Sequence, residues 1–421
     1  MKKILLIIFI CLFVLPLYAN ESNEGESYEF YEHYEYDYED EDNSRGPFSM
    51  PNRGFEIGLS ANAFLTNNYL SLDQIFSKTI YIDLNGLDNG LMVGYGLGAN
   101  FFFNVDSKKG WGFGMSLGVE GSGAFNIANE LWFFDEARNA NSDASGAVYG
   151  VLEVNTFFPV QKFKVTFRPA MFVALMYYKP DVSYTFRNTS EGTLLNISYD
   201  ARIYTAFPLE GDGGFEYTGI PGFDFSFGVE YPLSKETGIS DRIPFLDFDV
   251  GLEFVNIPIV SSVLRDYMSF SGVIGSTEPG YIISDDPDFK DGSDQGGVTY
   301  HSDGNLMVAR PFKVLAWANW RPLLGSNLLT VTPILGFTVN QLYVEPVSLD
   351  IGVSATVNLV NILIATAGIN YLDRIWVNSI DVALNCRAMQ LDFGVELRSQ
   401  DFLKSWMGSG FGARVGIRFG W

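Results

Sequence analysis

Cysteine, histidine and positive charge are all scarce in this chain of 421 residues. It has 2 cysteines, 2 histidines and 27 lysines and arginines against 50 aspartates and glutamates, so its formal net charge is −23. A chain this acidic does not bind nucleic acid through a basic surface. After the first residues, no uninterrupted apolar run approaches the length of about 18 residues that a membrane-spanning helix needs. The sequence therefore excludes a nucleic-acid partner and predicts no transmembrane helix.

Aromatic residues and glycine are abundant instead. The chain holds 36 Phe, 22 Tyr, 7 Trp and 43 Gly, and 47% of its residues are hydrophobic. This much apolar surface excludes disorder for most of the chain. Aromatic residues favour strands, and so many glycines are unusual in an all-helical protein.

Residues 1–19 have the pattern of a secretory signal peptide. Two lysines precede an apolar stretch, and the small residue Ala19 stands at a suitable cleavage position. Cys11 offers the alternative of a lipoprotein, but no small residues precede it. Once the signal is removed, Cys386 is the only cysteine left, so an intramolecular disulfide is excluded.

Residues 20–52 form a separate acidic, tyrosine-rich segment. Eleven acidic residues lie between positions 21 and 42, and no lysine or arginine occurs between Lys3 and Arg45. Self-repelling segments of this kind are disordered. Two alternatives stay open: a periplasmic segment that plugs a lumen or docks its tyrosines on a partner, and a metal site around His33.

From residue 53 to residue 421 the dominant pattern is an alternation with period two, which is typical of strands. The final segment is the plainest example, because its apolar residues fall on one face and its glycines and arginines on the other. The same alternation occurs at 55–63, 91–104, 111–120, 223–231, 246–254, 347–357 and 389–397.

The predicted strands suit a membrane better than a soluble sandwich. They are about 11–16 residues long, whereas soluble strands are about 5–6 residues and a tilted membrane strand needs about 9–11. Their polar faces are poor in the lysines that protect soluble edges, and aromatic residues cluster near their ends. We therefore expect an all-β protein, a transmembrane antiparallel β-barrel of the cell outer membrane, rather than the alternative, a secreted soluble β-protein.

The strand number follows from the length of the barrel region. At about 26 residues for a strand and its share of loop, residues 53–421 give about 14 strands, within a range of about 12–16. Residues 65–90 and 372–387 are ambiguous, and a short capped helix is predicted near Ser71. Since periplasmic turns are short, three long connections are expected outside the cell: 128–145, 179–192 and 276–304.

The polar face of the barrel is expected to line the lumen. The lumen-lining candidates are Glu56, Glu120, Glu230, Asp249, Glu253, Asp350, Glu396, Arg414 and Arg418, and Asp224, Asp247, Asp392 and Arg398 share that face. Two interpretations stay open: an ion-pair lattice that stiffens the barrel, with Glu56 as a partner for Arg414 or Arg418, and a carboxylate-lined pore that favours cations.

An apolar ligand site is expected in segments outside the strands. The candidates after the first strand are Tyr69, Leu70, Leu72, Ile75 and Phe76, and a second group is Val260, Val263, Leu264 and Tyr267.

Catalytic chemistry has little support. His301 has Asp294 and Asp303 near it in sequence but no nucleophile motif, and the acidic loop around Gly292 lacks the order of a calcium-binding loop. We therefore expect no enzyme activity, no cofactor and no metal site.

Two resemblances refine the prediction. The last strand, with Phe419 and Trp421, resembles the assembly signal of Gram-negative-type outer-membrane proteins, which implies the barrel-assembly machinery as a partner. The segments 67–76 and 224–231 are similar to divergent, spirochaetal relatives of FadL-type transporters. That resemblance implies a monomeric barrel with an N-terminal plug that moves long-chain fatty acids and other hydrophobic molecules inward. The chain departs from the family at Pro51-Asn52-Arg53, where the plug motif Asn-Pro-Ala is missing.

Overall fold

A computed structural model describes residues 54–68, 91–107, 111–127, 138–189, 192–207, 217–238, 243, 245–275, 297–323, 328–341, 346–360, 362–386 and 388–420. Among these residues, no helix is long and apolar enough to cross a membrane. The predicted signal peptide, the acidic segment and the short helix near Ser71 lie outside the described ranges.

The described ranges hold twenty strands and two short helices. The strands are β1 (Phe55–Asn67), β2 (Leu91–Asp106), β3 (Gly112–Ile127), β4 (Arg138–Val160), β5 (Phe163–Tyr178), β6 (Asp181–Thr189), β7 (Gly192–Thr205), β8 (Gly222–Tyr231), β9 (Asp247–Val260), β10 (Ser262–Leu264), β11 (Asp266–Gly275), β12 (Gly297–His301), β13 (Leu306–Val308), β14 (Phe312–Arg321), β15 (Leu329–Val339), β16 (Val347–Leu359), β17 (Leu363–Leu372), β18 (Ile375–Cys386), β19 (Met389–Ser399) and β20 (Phe411–Gly420). The helices are α1 (Leu233–Thr237) and α2 (Phe402–Trp406).

Fourteen of the strands close into a barrel. The ring runs β1 to β5, then β8, β9 and β14 to β20, and β20 returns to β1, where Ile57 lies opposite Phe419. Every neighbouring pair is antiparallel. A closed ring leaves no unpaired edge, which a membrane-spanning sheet requires. The prediction of an antiparallel barrel of about 14 strands is confirmed.

The two faces of the wall differ sharply in composition. Leu335 and Leu349 are each 56% exposed on the outer face, while Thr338 and Asp350, one strand apart on the inner face, are buried. An apolar outer face and a polar inner face are the inverse of a soluble protein and match a barrel in lipid. The chain is therefore a protein of the cell outer membrane.

The two ends of the barrel also differ. Short turns, such as Gln161–Lys162 between β4 and β5, lie at the end that holds Gly54 and Gly420; we call this the turn end. The opposite end, the loop end, carries the long connections and is the cell-surface end by the usual parity of such barrels. At the ambiguous residues 372–387, Asp373 and Arg374 form a tight turn with positive φ and β18 follows directly.

Strands β6, β7, β11 and β12 extend the wall beyond the ring at the loop end. The first residues of β4, from Arg138, pair with β6, and β7 joins β6 to β11, which pairs with β12. The expected loops 128–145, 179–192 and 276–304 are thus partly wrong, because strands occupy 138–145, 181–189 and 297–301. β6 does alternate with period two in the sequence, as Val182, Tyr184 and Phe186 show, so the pattern typical of a strand was present where a loop was expected.

Candidate functional site

The interior of the barrel holds a set of ion pairs between neighbouring or nearby strands. At the turn end, Arg321 on β14 pairs with Asp247 and Asp249 on the adjacent β9. Higher in the wall, Arg168 on β5 pairs with Glu253 on β9, and both side chains are buried. Because each buried charge has a partner of opposite sign, the desolvation of these groups is offset within the wall.

A second group of ion pairs lies on β18, β19 and β20. The Arg414 Nη2 to Asp381 Oδ1 distance is 2.5 Å, and the Arg418 Nε to Asp392 Oδ2 distance is 3.1 Å. Arg414 thus has an acceptor on β18 and Arg418 has one on β19. Glu56 is buried on β1 opposite Gly420, and its pairing with Arg414 or Arg418 stays a prediction.

Three further lumen-lining candidates make local contacts. Glu396 accepts a hydrogen bond from Arg398 Nε at 2.6 Å, and Glu230 lies 3.7 Å from the Lys164 ammonium. Asp350 accepts hydrogen bonds from the Thr338 hydroxyl and from the backbone N–H of the turn residue Asp373. Glu120 is the exception, because its partner comes from across the barrel.

Arg310 is the partner of Glu120 and lies between β13 and β14, outside the regular strands. Its Nε is 3.0 Å from Glu120 Oε1 on β3, and its Nη1 is 3.5 Å from Asp224 Oδ1 on β8. Its Nη2 donates a hydrogen bond of 2.8 Å to Asn256 Oδ1 on β9. Three strands therefore contribute acceptors to one guanidinium, whose planar geometry suits several simultaneous partners.

A bend in β9 places Arg310 there. Asn256 has a φ of 54°, a left-handed conformation that asparagine tolerates better than most residues, and the register between β8 and β9 shifts once across Asn256 and once more just after it. Its side-chain amide donates to the carbonyl of Pro311 at 3.0 Å. The bend thus holds β9 and the start of β14 together as they leave the regular wall.

An apolar cluster lies beside this bend on the inner face. Phe172 and Tyr149 meet edge to face with ring centroids 6.0 Å apart, and Leu264 on β10 and Val308 on β13 pack with them. Leu264 is fully buried. The Tyr149 hydroxyl donates to the carbonyl of Ala309 at 3.1 Å, so the cluster and the Arg310 segment are joined.

The end of β8 at Gly222 leaves room for Phe172 of the apolar cluster and for the start of β10. A Cβ at Gly222 would lie 2.4 Å from the Phe172 ring and 2.6 Å from the Ser262 nitrogen. Beyond β8, the Ser262 hydroxyl accepts the hydrogen bond that Ala174 of β5 donates. β10 therefore takes the place next to β5 that β8 leaves.

A second apolar patch faces the interior further round the wall. Leu315 and Trp317 on β14 and Ile334 on β15 are buried together. The opposite face of β14 carries Trp320, which stacks with Phe248 and donates its indole N–H to the carbonyl of Phe245.

The sequence singled out some of these residues and missed others. Among the hydrophobic-ligand candidates, Leu264 lies in the interior cluster and Val260 is exposed, whereas Tyr69, Leu72, Ile75 and Phe76 lie outside the described residues, as does Trp421. Lys164, Arg168 and Arg321 could have been found, because period two places them on the inner faces of β5 and β14. Arg310 gave no such signal, since it follows a three-residue strand and faces inward only because of the bend.

The described histidine has a structural environment. His301 stacks on Tyr267 with ring centroids 4.4 Å apart, and its Nε2 lies 3.1 Å from the Ser269 hydroxyl. Within the described residues, no group of three or more His, Cys, Asp or Glu side chains could hold a metal ion. The acidic residues around Gly292 lie outside them.

No family model matches the sequence, and no curated protein matches it either. Solved structures do resemble it. The P. putida toluene transporter TodX has 10% sequence identity and a TM-score of 0.48, over 87% of this chain and 90% of that one. A Pseudomonas aeruginosa FadL homologue has 9% identity and a TM-score of 0.45, over 87% and 89%.

The Ralstonia pickettii toluene transporter TbuX has 8% identity and a TM-score of 0.43, over 88% and 90% of the two chains. A FadL homologue is thus among the solved structures that this chain is similar to. At these identities and scores, the nature of the ligand has to be argued from the side chains inside the barrel.

Proposed function

We propose that this barrel mediates diffusive uptake of hydrophobic nutrients, such as long-chain fatty acids, across the outer membrane. The observation that carries the proposal is the presence of apolar side chains on the inner face, at the Phe172–Leu264 cluster and at the Leu315–Trp317–Ile334 patch. A general porin has a polar, water-filled interior. Inward-facing aromatic and aliphatic groups instead give a hydrophobic solute a surface that it can bind.

The charges of the interior favour this function over a cation channel. Rings of unpaired carboxylates attract cations, but Glu253, Asp381 and Asp392 each face an arginine. Paired carboxylates offer a passing cation little net attraction, so the ion-pair lattice is the better interpretation of the polar face.

The test combines ligand binding and conductance with the purified, detergent-folded barrel. We expect saturable binding of a fluorescent long-chain fatty acid, competed by a long-chain alcohol, and a small conductance in planar bilayers. A large, steady ion conductance without saturable binding would identify a porin instead.

Two tryptophans on the same strand provide a matched pair of variants. Trp317→Ala removes an inward-facing ring and is expected to weaken fatty-acid binding. Trp320→Ala removes a ring on the lipid-facing side and is expected to leave binding unchanged. Equal effects of the two substitutions would contradict an interior binding surface on β14.

Partner binding at the cell surface is a second candidate function. The wall formed by β6, β7, β11 and β12 stands beyond the ring, where a surface partner could contact it. The acidic segment could bind a periplasmic partner on the other side. Deletion of residues 21–45 separates the two roles, because fatty-acid binding by the barrel should survive if that segment only binds a partner.

A further inference from the structure

The segment Ala309–Pro311 crosses into the barrel rather than following its wall. Glu120 lies on β3 and Arg310 immediately precedes β14, five strand pairings away around the ring. At about 4.8 Å for each pairing, the path along the wall is about 24 Å, further than an arginine and a glutamate can span from the wall. The backbone at Arg310 must therefore have left the wall for the two side chains to meet at 3.0 Å.

The crossing is anchored on both sides. Asn256 holds Arg310 and Pro311 from β9, its own side of the barrel, and its backbone N–H donates to the Ser226 hydroxyl. Glu120 on β3 and the Tyr149 hydroxyl on β4 hold the segment from the far side. The Arg310 side chain is only 1% exposed, although it carries a charge.

This arrangement differs from the other ion pairs of the interior. Arg321 also lies on the β13–β14 part of the chain and also has two carboxylate partners, but both belong to the neighbouring strand β9. Such a pair connects two parts of one wall. The Arg310 contacts connect opposite walls, and the apolar cluster covers them on the loop-end side.

A hydrated ion on its way through the barrel would meet this crossing. It would have to pass a guanidinium with three partners and an apolar layer, and both raise the cost of keeping its water shell. We propose that Arg310 is a selectivity-determining residue: by tying the β9–β14 hairpin across the lumen, it closes the barrel to ions and hydrophilic solutes. This deepens the proposed function, since an uptake route for hydrophobic molecules must exclude water-soluble ones, but it is tested by conductance rather than by ligand binding.

The experiment compares Arg310→Ala with Arg321→Ala in the full-length barrel. Both variants remove an interior arginine with two carboxylate partners. We expect Arg310→Ala to raise single-channel conductance several-fold and to admit small sugars in liposome swelling. Arg321→Ala is expected to keep the wild-type conductance. Arg310→Lys should give an intermediate conductance, because one ammonium cannot satisfy acceptors on three strands as a guanidinium does.

Heat-dependent gel mobility establishes that each variant is folded. If Arg310→Ala fails to fold, the double variant Glu120→Gln, Asp224→Asn keeps the arginine but removes the two negative charges that hold it, one on β3 across the lumen and one on β8, and it should also raise the conductance. A folded variant of either kind with wild-type conductance would overturn the inference. So would an equal rise in Arg321→Ala, because any lost ion pair would then loosen the barrel.

Fatty-acid binding, measured on the same samples, separates this inference from the proposed function. A high conductance of Arg310→Ala with binding retained supports both. If Arg310→Ala has a high conductance but the barrel does not bind fatty acid, the role of Arg310 in closing the lumen is supported and the proposed ligand is wrong.

Discussion

From β15 to β20, which we call the regular arc, each strand pairs with the strand that follows it in the chain. Between β5 and β14, which we call the bent arc, the chain leaves the ring twice. In the first arc the described registers run unbroken and arginine–carboxylate pairs join strands that are neighbours or nearly so. In the second arc the register between β8 and β9 shifts, Asn256 takes a left-handed conformation, and Arg310 reaches the far wall. The same kinds of side chain stiffen the wall in one arc and cross the lumen in the other.

The largest effect on stability is expected in the bent arc. Leu264→Ala should lower the free energy of unfolding by about 2–5 kcal/mol, because a fully buried side chain in a packed cluster is lost and a cavity is left. Urea unfolding in lipid vesicles measures this. The matched control is Leu335→Ala in the regular arc, where lipid can fill the vacated space and the loss should be smaller. Equal losses would mean that the bent arc is not tightly packed.

Asn256→Val should break the bend itself. A β-branched residue at a φ of 54° costs about 1–3 kcal/mol in backbone strain. The substitution also removes the amide contacts to Arg310 and Pro311. We expect both a lower unfolding free energy and a higher conductance.

A control for Asn256→Val exists at the turn end. Gln161 has a φ of 57° in the short turn between β4 and β5, far from the Arg310 segment. Gln161→Val should therefore reduce stability through strain alone. If it also raised the conductance, strain in general, rather than loss of the crossing, would be responsible.

The regular arc should respond in stability but not in conductance. A double-mutant cycle of Arg414→Ala and Asp381→Ala should give a coupling energy of about 0.5–3 kcal/mol, since the two side chains are mostly buried and in contact. Planar-bilayer recordings of the same variants should match the wild type. A conductance rise as large as that of Arg310→Ala would remove the distinction between the two arcs.

The smallest effect is expected at an exposed ion pair between two connections at the turn end. Lys162 pairs with Glu236 of α1 at the turn end, and this hydrogen-bonded partner raises the pKa of the lysine. The contribution of the pair is therefore present below the ordinary pKa of lysine and is lost as the pH rises through the raised value. Lys162→Met should shift the unfolding midpoint slightly at neutral pH and low salt, and not at all in strongly alkaline buffer or high salt.

The sequence predicted the regular arc far better than the bent one. Segments such as 347–357 and 389–397 alternate without interruption, because each residue faces either lipid or the interior, and that alternation determined their faces. The inner-face position of Asp350 and Glu396 followed from the same pattern. The extension strands β6 and β7 alternate as well, and they were missed because the expectation of loops there followed from the lengths of the connections rather than from that pattern.

The bent arc depends on contacts that no local pattern records. Arg310 meets Glu120 across 190 positions of the sequence only because Asn256 bends the hairpin inward. Leu264 was singled out as an apolar residue outside the regular strands, but its neighbours Tyr149 and Phe172 belong to strands far away in the chain. Such a crossing is a property of the closed ring, and it appears only when all the strands are in place.

The lengths of β4 and β17, which lie seven pairings apart in the ring of fourteen strands, make the rim of the barrel uneven. β4 has 23 residues and β17 has 10, which at about 3.3 Å per residue correspond to about 76 Å and about 33 Å of strand. The apolar band of an outer membrane is only about 25 Å tall. One side of the rim therefore rises well above the lipid while the other ends close to it. A molecule that diffuses along the membrane surface therefore meets a tall wall at β4 and a low rim at β17.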